Sequence, residues 1–267
     1  MKGTVPRSLV PEISAPSLHL FGAYSRRFVR RRFHSLRVLR TALPPADPER
    51  PLVVFLNHAG WWDPLVCLLL AQRWFPRRQS FAPIDSGALQ RYGILSRLGF
   101  FGVDPHSNCG ALNFIRTTRA ILRGQHHAVW ITPQGRFSDV RERPLLLQAG
   151  LGALAARAGE VTFLPLAIEY TFWSEPRPEL LVAFGEPIVT AAEPRRTAAE
   201  WNAHFSDALE KTQDELAMRS CRRDPAEWLE LEHGASGVQP FYDAWRWFRA
   251  RMQGAHFTAQ HGSEVLP

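Results

Sequence analysis

Five consecutive apolar residues, Leu52-Val53-Val54-Phe55-Leu56, stop at the polar stretch Asn57-His58-Ala59-Gly60-Trp61-Trp62-Asp63-Pro64. Apolar character resumes at once in Leu65-Val66-Cys67-Leu68-Leu69-Leu70-Ala71. The first run reads as a buried β-strand, the second as a helix with Asp63 at its N-cap and Pro64 in its first turn. The same succession recurs downstream. Residues 77–83 suggest a short strand, 88–98 a helix and 99–104 a strand or turn. Residues 107–123 read as a helix with Ile115, Ile121 and Leu122 on its core side and Gly124 stopping it. Residues 128–132 are a buried strand, and a helix over about 148–158 ends at Gly159. Two further strands follow at 161–170 and 180–184. Upstream, residues 36–42 alternate like a strand, and Pro44-Pro45 with Asp47-Pro48 form the loop that leads on. Strands alternating with helices predict an α/β fold with a central, mostly parallel sheet flanked by helices.

The two ends differ from this middle. Residues 1 to about 16 read as disordered. Residues 18–32 are amphipathic, with Leu18, Leu20, Phe21, Tyr24 and Phe28 apolar among arginines, while 197 to about 257 read as helical. The expected organisation is therefore a disordered start and basic helix over 1–35, an α/β domain over 36–192 and a helical extension over 193–267.

Charge changes the picture at the first of these ends. The formal net charge is +7, carried mostly by arginine. Arg26, Arg27, Arg30, Arg31, Arg32, Arg37 and Arg40 all precede Pro51, whereas the region after Glu200 is mildly acidic. Such an excess suits a surface that meets phosphates, of nucleic acid or of anionic lipid. No nucleic-acid recognition module accompanies it. The helix over 18–32 instead fits a headgroup layer, with aromatic rings inserted and guanidinium groups on phosphates. No window approaches the roughly 20 apolar residues of a membrane span, and the first residues lack the apolar core of a secretory signal. The expectation is a cytoplasmic protein, peripheral on the inner face of the cell membrane. Cys67, Cys109 and Cys221 have neither metal-ligand nor disulfide spacing and read as reduced thiols, Cys67 in the core. His126 and His127 diverge, so no metal is expected. Gly150-Leu151-Gly152 with Ala155 imitates a dinucleotide fingerprint but lacks the strand that should precede it.

His58 and Asp63 lie five positions apart at the end of a strand, where α/β folds place their chemistry. Imidazole is a suitable base for a hydroxyl near neutral pH, and a carboxylate beside it fixes its tautomer. A turn histidine and a helix cap would account for the pair equally well. The wider pattern decides. Asn57-His58, four residues, then Asp63 resembles the first motif of the glycerolipid acyltransferases of the lysophosphatidic acid acyltransferase type. The resemblance runs in order over roughly 37–188, through blocks at 99–104, 132–138 and 164–168 to Phe184-Gly185-Glu186-Pro187-Ile188. It implies a single acyltransferase domain over 36–192 and direct acyl transfer from a thioester, acyl-CoA or acyl-carrier protein, to the hydroxyl of a lysophospholipid or related glycerolipid. His58 would be the base and Asp63 its orienting partner. Asn57, Gln134, Gly135, Arg136, Ser138 and Pro165 would bind substrate, with amides near Gly135 facing the oxyanion. No cofactor is implied.

Two blocks depart from the family form. Where relatives carry Pro-Glu-Gly-Thr-Arg-Ser, this chain has Pro133-Gln134-Gly135-Arg136-Phe137-Ser138. Gln134 keeps an acceptor oxygen but loses the charge. Phe137 occupies the arginine's column, and Arg136, Arg141 or Arg143 could reach a phosphate instead. Relatives also carry an arginine shortly after the glycine corresponding to Gly99, where this chain has Pro105 followed by His106. The acceptor is thus left open between a lysophospholipid and another lipid alcohol, such as an amino-acid lipid or a glycolipid. Three other classes stand beside this reading: a hydrolase using His58 with water, a catalytically inactive lipid-binding relative, and a nucleic-acid-binding protein.

Overall fold

The structure, a computed structural model, describes residues 9–45, 49–104, 107–192 and 195–234. Within them the elements follow as α1 (Ala15–Arg32), β1 (Ser35–Leu39), β2 (Leu52–Leu56), α2 (Asp63–Trp74), β3 (Gln79–Asp85), α3 (Ser86–Arg91), β4 (Phe100–Val103), α4 (Asn108–Ile121), β5 (His127–Ile131), α5 (Ala149–Ala155), β6 (Thr162–Thr171), β7 (Glu179–Phe184), β8 (Ile188–Val189), α6 (Ala198–Arg222) and β9 (Trp228–His233). The strands form one sheet in the order β4-β3-β5-β2-β6-β7-β1-β9, with β8 beside β6. From β4 to β6 every neighbouring pair is parallel. Antiparallel pairing enters at β6–β7, β6–β8 and β1–β9, while β1 runs parallel to β7. The mostly parallel α/β sheet read from the sequence is the sheet that forms.

Strand β2 is buried along its whole length because helices cover both faces of the sheet. Leu52, Val54 and Leu56 enter one hydrophobic cluster with Val66, Leu70 and Phe75 of and beyond α2. Val53 and Phe55 enter another, with Leu151 and Leu154 of α5 and Phe205 and Leu209 of α6. Gly152 shows how closely the second layer packs. A Cβ there would lie 2.1 Å from the Ala198 carbonyl oxygen, so the glycines that imitate a dinucleotide loop serve helix contact.

Local chemistry sets the ends of the helices. Ser14 caps α1 by accepting from the Ser17 amide, and Arg30, Arg31 and Arg32 complement the carbonyl end of its dipole. A capping box of Thr197 and Glu200 opens α6.

Several expectations are corrected. Residues 9–14 are not loose: the Ser14 amide donates to the Arg97 carbonyl (2.9 Å), and Val10 and Ile13 pack on the core. The strand expected over 36–42 ends at Leu39 and turns into a 3-10 helix, Arg40–Ala42. The helix expected over 88–98 divides into α3 and a 3-10 helix, Gly93–Leu98, because Tyr92 leaves helical geometry just before a glycine. Among the described residues, the helix expected from 197 onward does not run on to 234. It stops at Arg222, where Arg223 takes φ 52° and Asp224-Pro225 turns the chain into β9. Phe241, Trp245, Trp247 and Phe248 lie outside the described residues.

The basic cluster is divided rather than uniformly exposed. Arg26 donates to Gln72 (2.9 Å) and Arg30 pairs with Glu232 (2.7 Å). Arg37 is buried on β1 between Glu179 (3.2 Å) and Glu230 (3.1 Å). Arg27, Arg31, Arg32 and Arg40 are exposed.

Candidate active site

The carboxyl end of β2 lies between β5 and β6, and the chain turns there from one half of the sheet to the other. Each flanking strand contributes a clamp. The buried Asn57 amide donates to the Ile168 carbonyl and accepts from the Ile168 amide, both at 2.9 Å. The Gln134 side-chain oxygen accepts from the His58 backbone N–H (2.9 Å), and the His58 carbonyl accepts from the Ser138 amide (3.0 Å). His58 is therefore fixed on both sides of its own backbone before its ring makes any contact.

The ring meets Asp63. His58 Nδ1 lies 2.7 Å from Asp63 Oδ2, which also accepts from the Gly60 amide at 3.1 Å. Asp63 Oδ1 accepts from the Tyr170 hydroxyl at 2.7 Å. The expected N-cap role of Asp63 is corrected: Trp62 occupies the cap position, and the carboxylate turns to the imidazole from the first turn of α2. Asp63 is 1% exposed, so its negative charge is held in place by these donors. With a carboxylate facing Nδ1, neutral imidazole carries its proton there and keeps the lone pair on Nε2. The Phe137 ring lies against the His58 ring, with centroids 4.2 Å apart and planes tilted by 43°. Burial, and then the Asp63 charge, push the Tyr170 hydroxyl far above the ordinary phenol range, so it stays a proton donor.

Two cavities meet this segment. The first, of about 250 Å³, is mainly apolar and includes His58 and Asp63 in its wall. Leu18 and Phe21 of α1, Leu68 of α2, Ile84 of β3, Ala88 of α3 and Phe100 of β4 contribute to it. Cys67 packs against the core, as expected, and also lines this cavity, and burial, then Asp63, raise its thiol pKa. The second, of about 670 Å³, is the more polar of the two and is lined among others by Ala59, Ser138, Glu169, Tyr170 and Gln213. His58 and Phe137 face the apolar side while their neighbours Ala59 and Ser138 face the polar one.

The residues expected to bind substrate separate on this map. Asn57 and Gln134 are buried supports of the His58 backbone. Gly135 has φ 68° and donates its amide to the Thr132 carbonyl (3.1 Å), so that amide is not available to an oxyanion. Arg136 lies exposed, where it pairs with Glu142, and lines neither cavity. Arg141 and Arg143 line the polar cavity but are held by Asp139 (2.7 Å) and Asp214 (2.5 Å). The Arg141 guanidinium keeps the Asp139 carboxyl well below the usual range. Pro165 lies on the far part of β6, its carbonyl accepting from the Gly185 amide (2.9 Å), and lines neither cavity. Ser138 reaches the polar cavity. Pro105 and His106 lie outside the described residues.

Sequence reasoning missed Tyr170, Trp61, Glu169 and Gln213. Tyr170 carried a faint signal, as the polar-tipped residue closing a strand; Gln213, on a long helix, carried none. A family model described as acyltransferase matches residues 30–169, a little over half of the chain. No curated protein matches.

Proposed function

The chain belongs to the acyltransferase family, and from that premise we propose that it moves a fatty acyl group from a thioester, acyl-CoA or acyl-carrier protein, to the hydroxyl of a lysophospholipid or related glycerolipid. The observation that supports this most is the His58 Nδ1–Asp63 contact in the wall of an apolar cavity. His58 Nε2 takes the proton from the acceptor hydroxyl as its oxygen bonds to the thioester carbonyl carbon. The tetrahedral intermediate collapses, the carbon–sulfur bond breaks, and the departing thiolate recovers that proton from the imidazolium. Asp63 stabilises the imidazolium between these steps, and Gly60 and Tyr170 hold the carboxylate. The acyl chain occupies the apolar cavity. Phe137 covers one side of the imidazole, and a bound acyl chain beside it would exclude water and favour transfer over hydrolysis.

Access is from a membrane surface. Among the described residues no helix is long and apolar enough to cross a membrane. Exposed Tyr24, Trp61, Trp62 and Phe137, with Arg27 and Arg31 nearby on α1, suit peripheral contact with an anionic bilayer on the cytoplasmic side.

The test is thiol release and diacyl product formation from purified protein, a thioester donor and lysophospholipid vesicles. His58→Ala should lower both by about 10²–10⁴-fold with the fold intact by circular dichroism. Parental rates in that variant would overturn the reading.

A further inference from the structure

The polar cavity has the charge balance of a site for a cation. Its lining holds two guanidinium groups, Arg141 and Arg143, against three carboxylates, Asp139, Glu169 and Asp214. Both guanidinium groups are already paired with two of those carboxylates. Glu169 remains, with one oxygen accepting from the Ser220 hydroxyl (3.0 Å). Burial raises its carboxyl pKa, the mark of a charge without sufficient compensation.

Gln213 supplies an independent observation. It is 4% exposed, and its amide nitrogen donates to the Val140 carbonyl at 3.2 Å. Its Oε1 is buried with no partner, and so is the Ser138 hydroxyl of the same lining. A buried acceptor without a donor costs roughly 1–3 kcal/mol, so an occupant that reaches Gln213 Oε1 is favoured if it brings N–H or O–H groups, while the Ser138 hydroxyl can donate or accept. A phosphate monoester brings acceptors and negative charge, and would face Glu169 and the Gln213 oxygen unfavourably. A protonated amine brings donors and positive charge together.

The cavity is also placed to matter for the reaction. Ala59 and Ser138 are covalent neighbours of His58 and Phe137, and Tyr170 of its lining donates its hydroxyl to Asp63. We propose that this cavity selects an acyl acceptor whose head group carries a protonated amine, with Glu169 and Gln213 as the residues that determine the preference. This inference rests on the acyl-transfer reading above.

The experiment compares three single-chain acceptors with the same acyl group: one with a phosphoethanolamine head, one with a phosphate monoester, and one with free glycerol. Turnover by the parent should favour the amine over the monoester by about 10-fold or more in kcat/KM. Glu169→Gln should reduce that ratio about 10-fold, and Gln213→Leu a few-fold, with each variant checked for a cooperative thermal transition. Binding of the three lipids to His58→Ala protein, followed by titration calorimetry, should give the same order of affinity. If no acceptor is acylated, the transfer reading falls while this binding series still decides the cavity's preference. A monoester preference, equal binding of the glycerol and amine lipids, or a ratio unmoved in folded Glu169→Gln would each overturn the proposal.

Discussion

The two cavities at the end of β2 are built in opposite ways. The apolar one draws on many elements, with a run of side chains from α2 and from β3 and one or two from each of α1, α3 and β4, and Asp63 is the one carboxylate in its lining. The polar one comes mainly from three pieces: the loop from Ser138 to Arg143, the end of β6 and the carboxyl-terminal half of α6. Between them runs a wall only one residue thick. Successive residues, His58 then Ala59 and Phe137 then Ser138, turn to opposite sides, as alternation along an extended chain requires. A substrate with an apolar tail and a polar head thus meets both environments within the reach of one imidazole.

The Asp63 carboxylate, which meets both His58 and Tyr170, is the most sensitive place to break this arrangement. Asp63→Asn keeps the volume but removes the anion, and should lower kcat by about 10²-fold or more with little change in KM, measured at saturating donor. Tyr170→Phe removes a donor to Asp63 from the polar side. A fall of about 3–10-fold in kcat is expected, together with a changed pH profile, because one hydrogen bond to a charged group is lost. Ala88→Phe narrows the apolar cavity alone. Preference should move toward shorter acyl donors by a few-fold in kcat/KM, while the order of acceptors stays the same.

The smallest expected effect is on stability. Glu169 has a raised carboxyl pKa from burial. A folded value above the unfolded one contributes stability that is present below the unfolded carboxylate range, about 4.3, and is lost as pH rises through the folded value. Glu169→Gln never ionises. Its melting temperature should exceed the parent's by about 1–3 °C near pH 8, with the gap closing as pH falls below about 4. A lower melting temperature at pH 8 would mean that the Glu169 charge is fully compensated in the free protein.

The sequence made the scaffold readable where the information is local. The β2 strand, the α2 helix and the His58–Asp63 pair lie within 25 residues, and their periodicity specifies them. The clamps on His58 are not local: Gln134 is 76 positions away and Ile168 is 111 from Asn57. Only the parallel registry of β5, β2 and β6 brings them together, so Asn57 and Gln134 looked like substrate ligands when their side chains hold backbone. The resemblance placed Arg136 in a pocket because its neighbours align. A single carboxylate, Glu142, keeps it on the surface. Strand β9 does alternate, Trp228 and Leu229 giving way to Glu230, Leu231 and Glu232, yet charged residues and a preceding long helix made continued helix the simpler expectation.

The position of β1 has a consequence for how the chain is made. Among the described residues its only sheet neighbours are β7 and β9, although it lies near the amino end. During synthesis β1 leaves the ribosome early and must wait for both partners, with all five of its residues destined for the interior. The entropic cost of closing so long a loop grows only logarithmically with its length, but the search slows folding and leaves a bare edge exposed meanwhile. The same geometry governs where the gene can be cut. The family-matched stretch, 30–169, contains β1 and neither of its neighbours. A recombinant fragment trimmed to it would carry an orphan strand; its carboxyl boundary belongs beyond Gly234, whose amide donates to the His34 carbonyl at 2.7 Å and closes that edge of the sheet.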